Sequence, residues 1–129
     1  MKKILLLLML IVSINGYSKC YTTYAQTIWD KNTNTWKEWV DNYIPFCIDD
    51  NSNDITMYLS KDILKFYCYK IEEPEKSDEY PVNIVFYCIT ATEESVIIQL
   101  RQYNINNNTG WQLLFYDDKE VIMYAVNIN

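Results

Sequence analysis

Few residues in this chain could do covalent or acid–base chemistry, and those few are carboxylates and thiols. Histidine is absent from the 129 residues, which removes the commonest general base, the Ser–His triads and most zinc sites. Glu72, Glu73, Glu75, Asp78 and Glu79 cluster around Pro74 and Lys76. Glycosidases use two carboxylates whose surroundings push their pKa values apart. Here the acids share one run beside Pro74 and Pro81, with nothing apolar between them, which reads as a solvated connector. No Gly-x-Ser-x-Gly is present. A cysteine nucleophile would lack its histidine. Two glycines are too few for a P-loop or a dinucleotide fingerprint. The chain therefore reads as non-enzymatic, with no cofactor.

Two oxygen-rich runs invite comparison with a cation loop. Asp49, Asn51 and Asn53 alternate like the start of a calcium loop, and Asp30, Asn32 and Asn34 repeat the pattern. Asp54 and Thr35 stand where the glycine belongs, and Ser60 and Asp41 where the closing Glu belongs. Asn and Asp also tolerate the left-handed backbone of hairpin turns, so turns, and no metal site, are expected here. The four cysteines, Cys20, Cys47, Cys68 and Cys88, show no metal-ligand spacing. An even count in a small exported domain points to disulfides, with three connectivities open.

Aromatic residues carry the best functional expectation. Trp29, Trp36, Trp39, Tyr21, Tyr24 and Tyr43 crowd the start of the mature chain. Tyr58, Tyr67, Tyr69 and Tyr87 fall on the polar side of the strand alternation described below. Sugars stack on flat rings, and protein partners favour Tyr and Trp. Trp29, Trp36, Tyr58, Tyr67, Tyr69 and Tyr87 are thus the expected binding residues. Asn107-Asn108-Thr109 is a glycosylation sequon in an expected loop.

The compartment follows from the first residues. Lys2 and Lys3 precede a nine-residue apolar run, Ile4 to Val12, and Gly16 and Ser18 suit cleavage after Ser18. That is the layout of a secretory signal peptide over residues 1–18. The run is well short of the ~20 residues a spanning helix needs, so no transmembrane span is expected after cleavage. Cys20 raises lipid anchoring as an alternative, though Lys19 stands where a small residue is required. Residues 19–129 then form a single secreted or periplasmic domain. Losing Lys2 and Lys3 takes the net charge from −6 to −8, which disfavours nucleic acid. Half the residues are apolar and 16% aromatic, which excludes a disordered tail.

These residues need strands to position them. High β-propensity residues alternate with polar ones, and Asn/Asp/Ser clusters interrupt them. Strands are expected over 21–29, 35–40, 43–49, 54–59, 64–71, 82–90, 94–102, 111–117 and 121–128. Hairpin registers test this reading. A turn at 50–53 sets Ile48 against Ile55, Phe46 against Met57 and Ile44 against Leu59. A turn at 60–63 sets Leu59 against Leu64, Met57 against Phe66 and Ile55 against Cys68. In that register Thr56 faces Tyr67 and Asp54 faces Tyr69. Turns at 91–93 and 117–120 oppose Cys88 and Val96, Phe86 and Ile98, Ile84 and Leu100, Phe115 and Ile122, and Leu113 and Tyr124. Trp29 meets Trp36 across a turn at 32–33. A one-residue slip would scramble every match. The 60–71 segment also fits a capped helix, but the register favours a strand.

The expected fold is all-β: an antiparallel meander of about eight to nine strands forming a small barrel or sandwich. Bulky inward side chains predict a filled interior. Strand 121–128 could close a barrel against 21–29, or pair with another chain. The expected function is an exported domain binding a protein or glycan through its outward aromatics. Two alternatives are a lipocalin-like carrier of a small apolar ligand, and an acidic inhibitor or immunity-type protein steered to a basic enzyme.

Overall fold

A computed structural model describes residues 18–128. The expected signal peptide lies, all but Ser18, outside the described residues. The chain forms β1 (Lys19–Asp30), β2 (Thr35–Trp36), β3 (Val40–Asp41), β4 (Pro45–Ile48), β5 (Ile55–Tyr58), β6 (Ile63–Glu72), β7 (Val82–Ile89), β8 (Ser95–Ile105), β9 (Asn108–Tyr116) and β10 (Val121–Asn127). From β4 to β10 each strand pairs antiparallel with the next, and β1 pairs with both β4 and β10. Eight strands therefore close into a barrel, which leaves the main sheet no open edge.

Alternation puts one apolar set inside. Phe46, Ile55, Met57, Phe86, Ile98 and Leu113 are among the buried core residues. Phe115 packs between Phe66 at 5.3 Å and Tyr124 at 5.7 Å, so rings fill the centre as expected. The expected matches hold for Phe46 with Met57, Phe86 with Ile98, and Phe115 with Ile122. The strand expected over 64–71 needs a correction. Ile55 opposes Phe66 and Met57 opposes Leu64, two residues from the expected register. The cause is a tighter turn, closed by the Leu59 amide donating to the Asp62 carbonyl at 2.9 Å. A two-residue shift keeps every side chain on its face, but Lys65, not Tyr67, now opposes Thr56.

The strand expected over 35–40 is also broken. β2, β3 and β4 run back along one edge of β1, and the register slips by one residue twice on the way. Each slip is a bulge, and a bulge leaves a backbone group outside the ladder. Two buried threonines of β1 meet them. The Thr23 hydroxyl donates to the Asn42 carbonyl at 2.9 Å and accepts from the Ile44 amide at 2.9 Å. The Thr27 hydroxyl donates to the Lys37 carbonyl.

Asparagine does at the turns what scarce glycine would otherwise do. Asn34, Asn53, Asn106 and Asn107 have φ of 55°, 63°, 53° and 65°. The expected loop at 103–110 is instead a continuation of β8 and β9, joined by Asn106 and Asn107 alone. Two consecutive left-handed residues make the tight turn that matches strand twist. The sequon asparagine, Asn107, is thus at an exposed hairpin tip. The two oxygen-rich runs are turns as well. Asp30 Oδ1 accepts from the Asn32 amide, and Asp49 Oδ1 from the amides of Asn51 and Ser52. Those amides, Ser52 first, hold the Asp49 carboxyl below its ordinary pKa.

Candidate functional site

The outer face of β5–β8 is built by the side chains that alternate away from the core. Tyr87 opposes Lys70 on one side and Ile97 on the other, and Ile97 opposes Tyr116, so one lateral row crosses β6 to β9. Tyr67 opposes Ile89 in a neighbouring row, and Tyr58 opposes Ile63 toward the turn. Tyr58, Tyr67, Ile89 and Ile97 are all exposed, and Ile63 is 62% exposed. The register of β6 against β7 slips between Cys68 and Lys70. Tyr69 is the extra residue of that bulge and is 65% exposed. Bulges re-aim side chains in this way. Tyr24 occupies the same kind of position in β1, where the register against β10 slips between Thr23 and Ala25.

Two lysines lie over this face. Lys65 Nζ is 5.3 Å from the Tyr67 ring centre, and Lys70 Nζ is 5.2 Å from that of Tyr87. Each contact orients a ring while keeping it accessible. Lys70 also pairs with Glu72 at 3.6 Å. Hydrogen bonding from Tyr87, then the Lys70 charge, holds the Glu72 carboxyl below its ordinary pKa, and Glu72 in turn pushes the Tyr87 phenol up. A lowered carboxyl is the opposite of what a general acid needs. The remaining acids of the run, Glu73, Glu75, Asp78 and Glu79, fall in the β6–β7 connection.

The six expected binding residues form two groups. Tyr58, Tyr67, Tyr69 and Tyr87 share the β5–β7 face. Trp29 and Trp36 pair on the β1–β2 hairpin, their rings edge-on at 5.2 Å. Trp39, Tyr43 and Tyr24 are exposed on that side too. Tyr21 departs from its expected surface cluster: it turns inward, its ring 5.6 Å from Phe46, and burial pushes its phenol up. Reading the sequence for aromatics missed Ile63, Ile89 and Ile97. For Ile89 and Ile97 the signal was available, because Val85, Tyr87, Ile89 and Ile97 make β7 and the start of β8 largely apolar at outward as well as inward positions.

The cysteines divide likewise. Cys20 and Cys47 oppose each other in β1 and β4 and are disulfide-bonded, with Cα atoms 4.0 Å apart. The bond is compatible with an extracellular location. A sulfur in a disulfide cannot also carry the thioether of a lipid anchor. Cys68 and Cys88 oppose each other in β6 and β7 but are thiols. Cys68 Sγ donates to the Lys70 carbonyl at 3.4 Å. Burial, then Cys68, pushes the Cys88 thiol up to about 12. Among the described residues no helix is long and apolar enough to cross a membrane. No protein-family model, no curated protein and no solved structure matches this chain.

Proposed function

We propose that this chain is an exported, non-enzymatic binding domain that engages a protein or glycan partner through the outer tyrosine–isoleucine face of β5–β8. One observation carries the reading: tyrosines and isoleucines stand side by side in register on a face that the fold leaves uncovered. Each square ångström of apolar surface removed from water is worth about 25 cal/mol. A contiguous patch of this kind on a small domain marks an interaction surface. Tyrosine gives large contact area at little entropic cost and is enriched where binding energy concentrates. The isoleucines favour a protein over a glycan, because branched aliphatic groups give a sugar no ring to stack on. Lys65 places positive charge on this face of an otherwise acidic chain, while the charge of Lys70 is met by Glu72. The face therefore lacks the acidic excess that a basic-enzyme partner would need.

The test compares the mature protein with a Tyr67→Ala/Tyr87→Ala variant, both immobilised. A mixed glycan array and the extracellular protein fraction of the source culture serve as probes. Both tyrosines point outward, so the variant retains its melting temperature. A species held by the wild type should be lost at least tenfold by the variant. Equal retention by both proteins, or nothing held by the wild type, overturns the proposal.

A further inference from the structure

The barrel has a second candidate site at one of its ends. The turns joining β5 to β6, β7 to β8 and β9 to β10 all lie at the same end, because the strands alternate in direction. Between them opens a cavity of about 870 Å³. Its floor is the end of the core: Met57, Phe66, Phe115 and Tyr124 line it, and Leu64 and Ile122 continue the apolar wall. The volume falls in the range of about 300–1,000 Å³ typical of small-molecule sites.

The rim differs in chemistry from the floor. Glu93 and Glu94 come from the β7–β8 turn, and Asp117 and Asp118 from the β9–β10 turn. Lys65 and Lys119 are the cations of the lining. Lys65 lies over the outward Tyr67 ring and so turns its charge to the barrel's outer face. That leaves Lys119 alone against four carboxylates. The turns also hold two acids in place: Asp117 Oδ1 accepts from the amides of Lys119 and Glu120 at 2.7 and 2.8 Å, and Glu94 Oε1 from the Thr92 hydroxyl at 2.9 Å. Carboxylates set around a low-dielectric floor attract a cation more strongly than the same charges spread in water.

We propose that this mouth binds an organic amine with an aliphatic or aromatic body, the body seated on the Phe66–Phe115–Tyr124 floor and the ammonium at the acidic rim. This gives the carrier alternative a site and a ligand class. It borders the outer face, because Ile63 and Lys65 of that face also line the mouth, but its floor side chains point inward while Tyr67, Tyr87, Ile89 and Ile97 point outward.

The experiment titrates the mature protein with octylammonium chloride, sodium octanoate and octan-1-ol, following side-chain methyl resonances. Octylammonium should move the Leu64, Ile122 and Met57 methyls saturably and leave those of Ile89 and Ile97 in place. Octanoate should bind at least tenfold more weakly. In a Glu94→Gln/Asp118→Asn variant, octylammonium should lose threefold to tenfold in affinity while octan-1-ol is unchanged. Both substituted residues are exposed, so the fold survives the change. No saturable shift at the mouth, equal binding of octanoate, or shifts confined to the outer isoleucines would each overturn the proposal. A Tyr87→Ala variant, which leaves the Lys65–Tyr67 contact in place, should bind octylammonium as the wild type does, which separates failure of this site from failure of the outer one.

Discussion

Thr23→Val is the sharpest probe of how β1 holds the interrupted edge formed by β2, β3 and β4. Valine has nearly the shape of threonine and suits a strand, so it removes the hydroxyl and little else. The hydroxyl makes two bonds in a fully buried position, accepting from the Ile44 amide and donating to the Asn42 carbonyl. Ile44 is itself buried, so its amide finds no water in the variant. An unsatisfied buried donor costs about 1–3 kcal/mol, and the loss of an ordinary net hydrogen bond adds about 0.5–1.5. Asn42 is half-buried, so water recovers only part of the second loss. The expected destabilisation is about 2–3 kcal/mol. Thr27→Val removes one bond, to the carbonyl of exposed Lys37, and should cost about 1 kcal/mol. Urea unfolding resolves the difference. With a slope of about 2 kcal/mol per molar, the Thr23 variant should unfold roughly 1–1.5 M earlier than the wild type. A Thr23→Val midpoint no lower than that of Thr27→Val would refute the argument that these hydroxyls satisfy the bulges. Thr23→Ser, which keeps the hydroxyl and loses a methyl, should retain most of the stability.

Glu93 has φ of 65° in the β7–β8 turn. A left-handed residue with a Cβ costs about 1–2 kcal/mol, of which glycine's extra unfolded entropy returns about 0.5–1. Glu93→Gly should therefore stabilise by about 0.5–1 kcal/mol in the same urea assay, and a loss would mean the turn is built otherwise. Iodoacetamide at pH 8 should label the half-buried Cys68 slowly and leave Cys88, buried and pushed up to about 12, unlabelled until denaturation. Cys20 and Cys47 should react only after reduction, and peptide mass spectrometry reads all four. Burial raises the phenols of Tyr21, Tyr116 and Tyr124 above their unfolded values. Their contribution to stability is then fully present below about pH 10 and lost as pH rises toward the higher folded values. Melting followed by circular dichroism from pH 8 to 11 should show that decline together with the one from the raised Cys88 thiol, and Tyr124→Phe should lessen it.

Much of the architecture was legible residue by residue. Phe46 meets Met57 and Phe86 meets Ile98 because a short turn sets the register and the side-chain period is two. The one misplaced register, β5 against β6, shows the limit of that logic. Leu59 and Ile63 can each begin an apolar series there, and the choice rests on the bond from the Leu59 amide to the Asp62 carbonyl. The outward tyrosines of β5–β7 were legible on the same grounds. Their isoleucine neighbours were passed over because an apolar residue at an outward position reads as core until the strand beside it is known.

The sequence by itself determined the strands, their inward faces and most hairpin registers, because alternation and turn chemistry are local. Only the tertiary structure decided which edges meet. β1 has two edges, and it gives one to β10 and the other to β2, β3 and β4 in succession. That choice closes the barrel and pairs Cys20 with Cys47 rather than with Cys68 or Cys88. It also divides the aromatics into a tyrosine face on β5–β7 and a tryptophan pair on the β1–β2 hairpin. Alternation says which face of a strand is apolar. The edge is decided by hydrogen bonds to residues far along the chain, and every backbone carries the same donors and acceptors for making them.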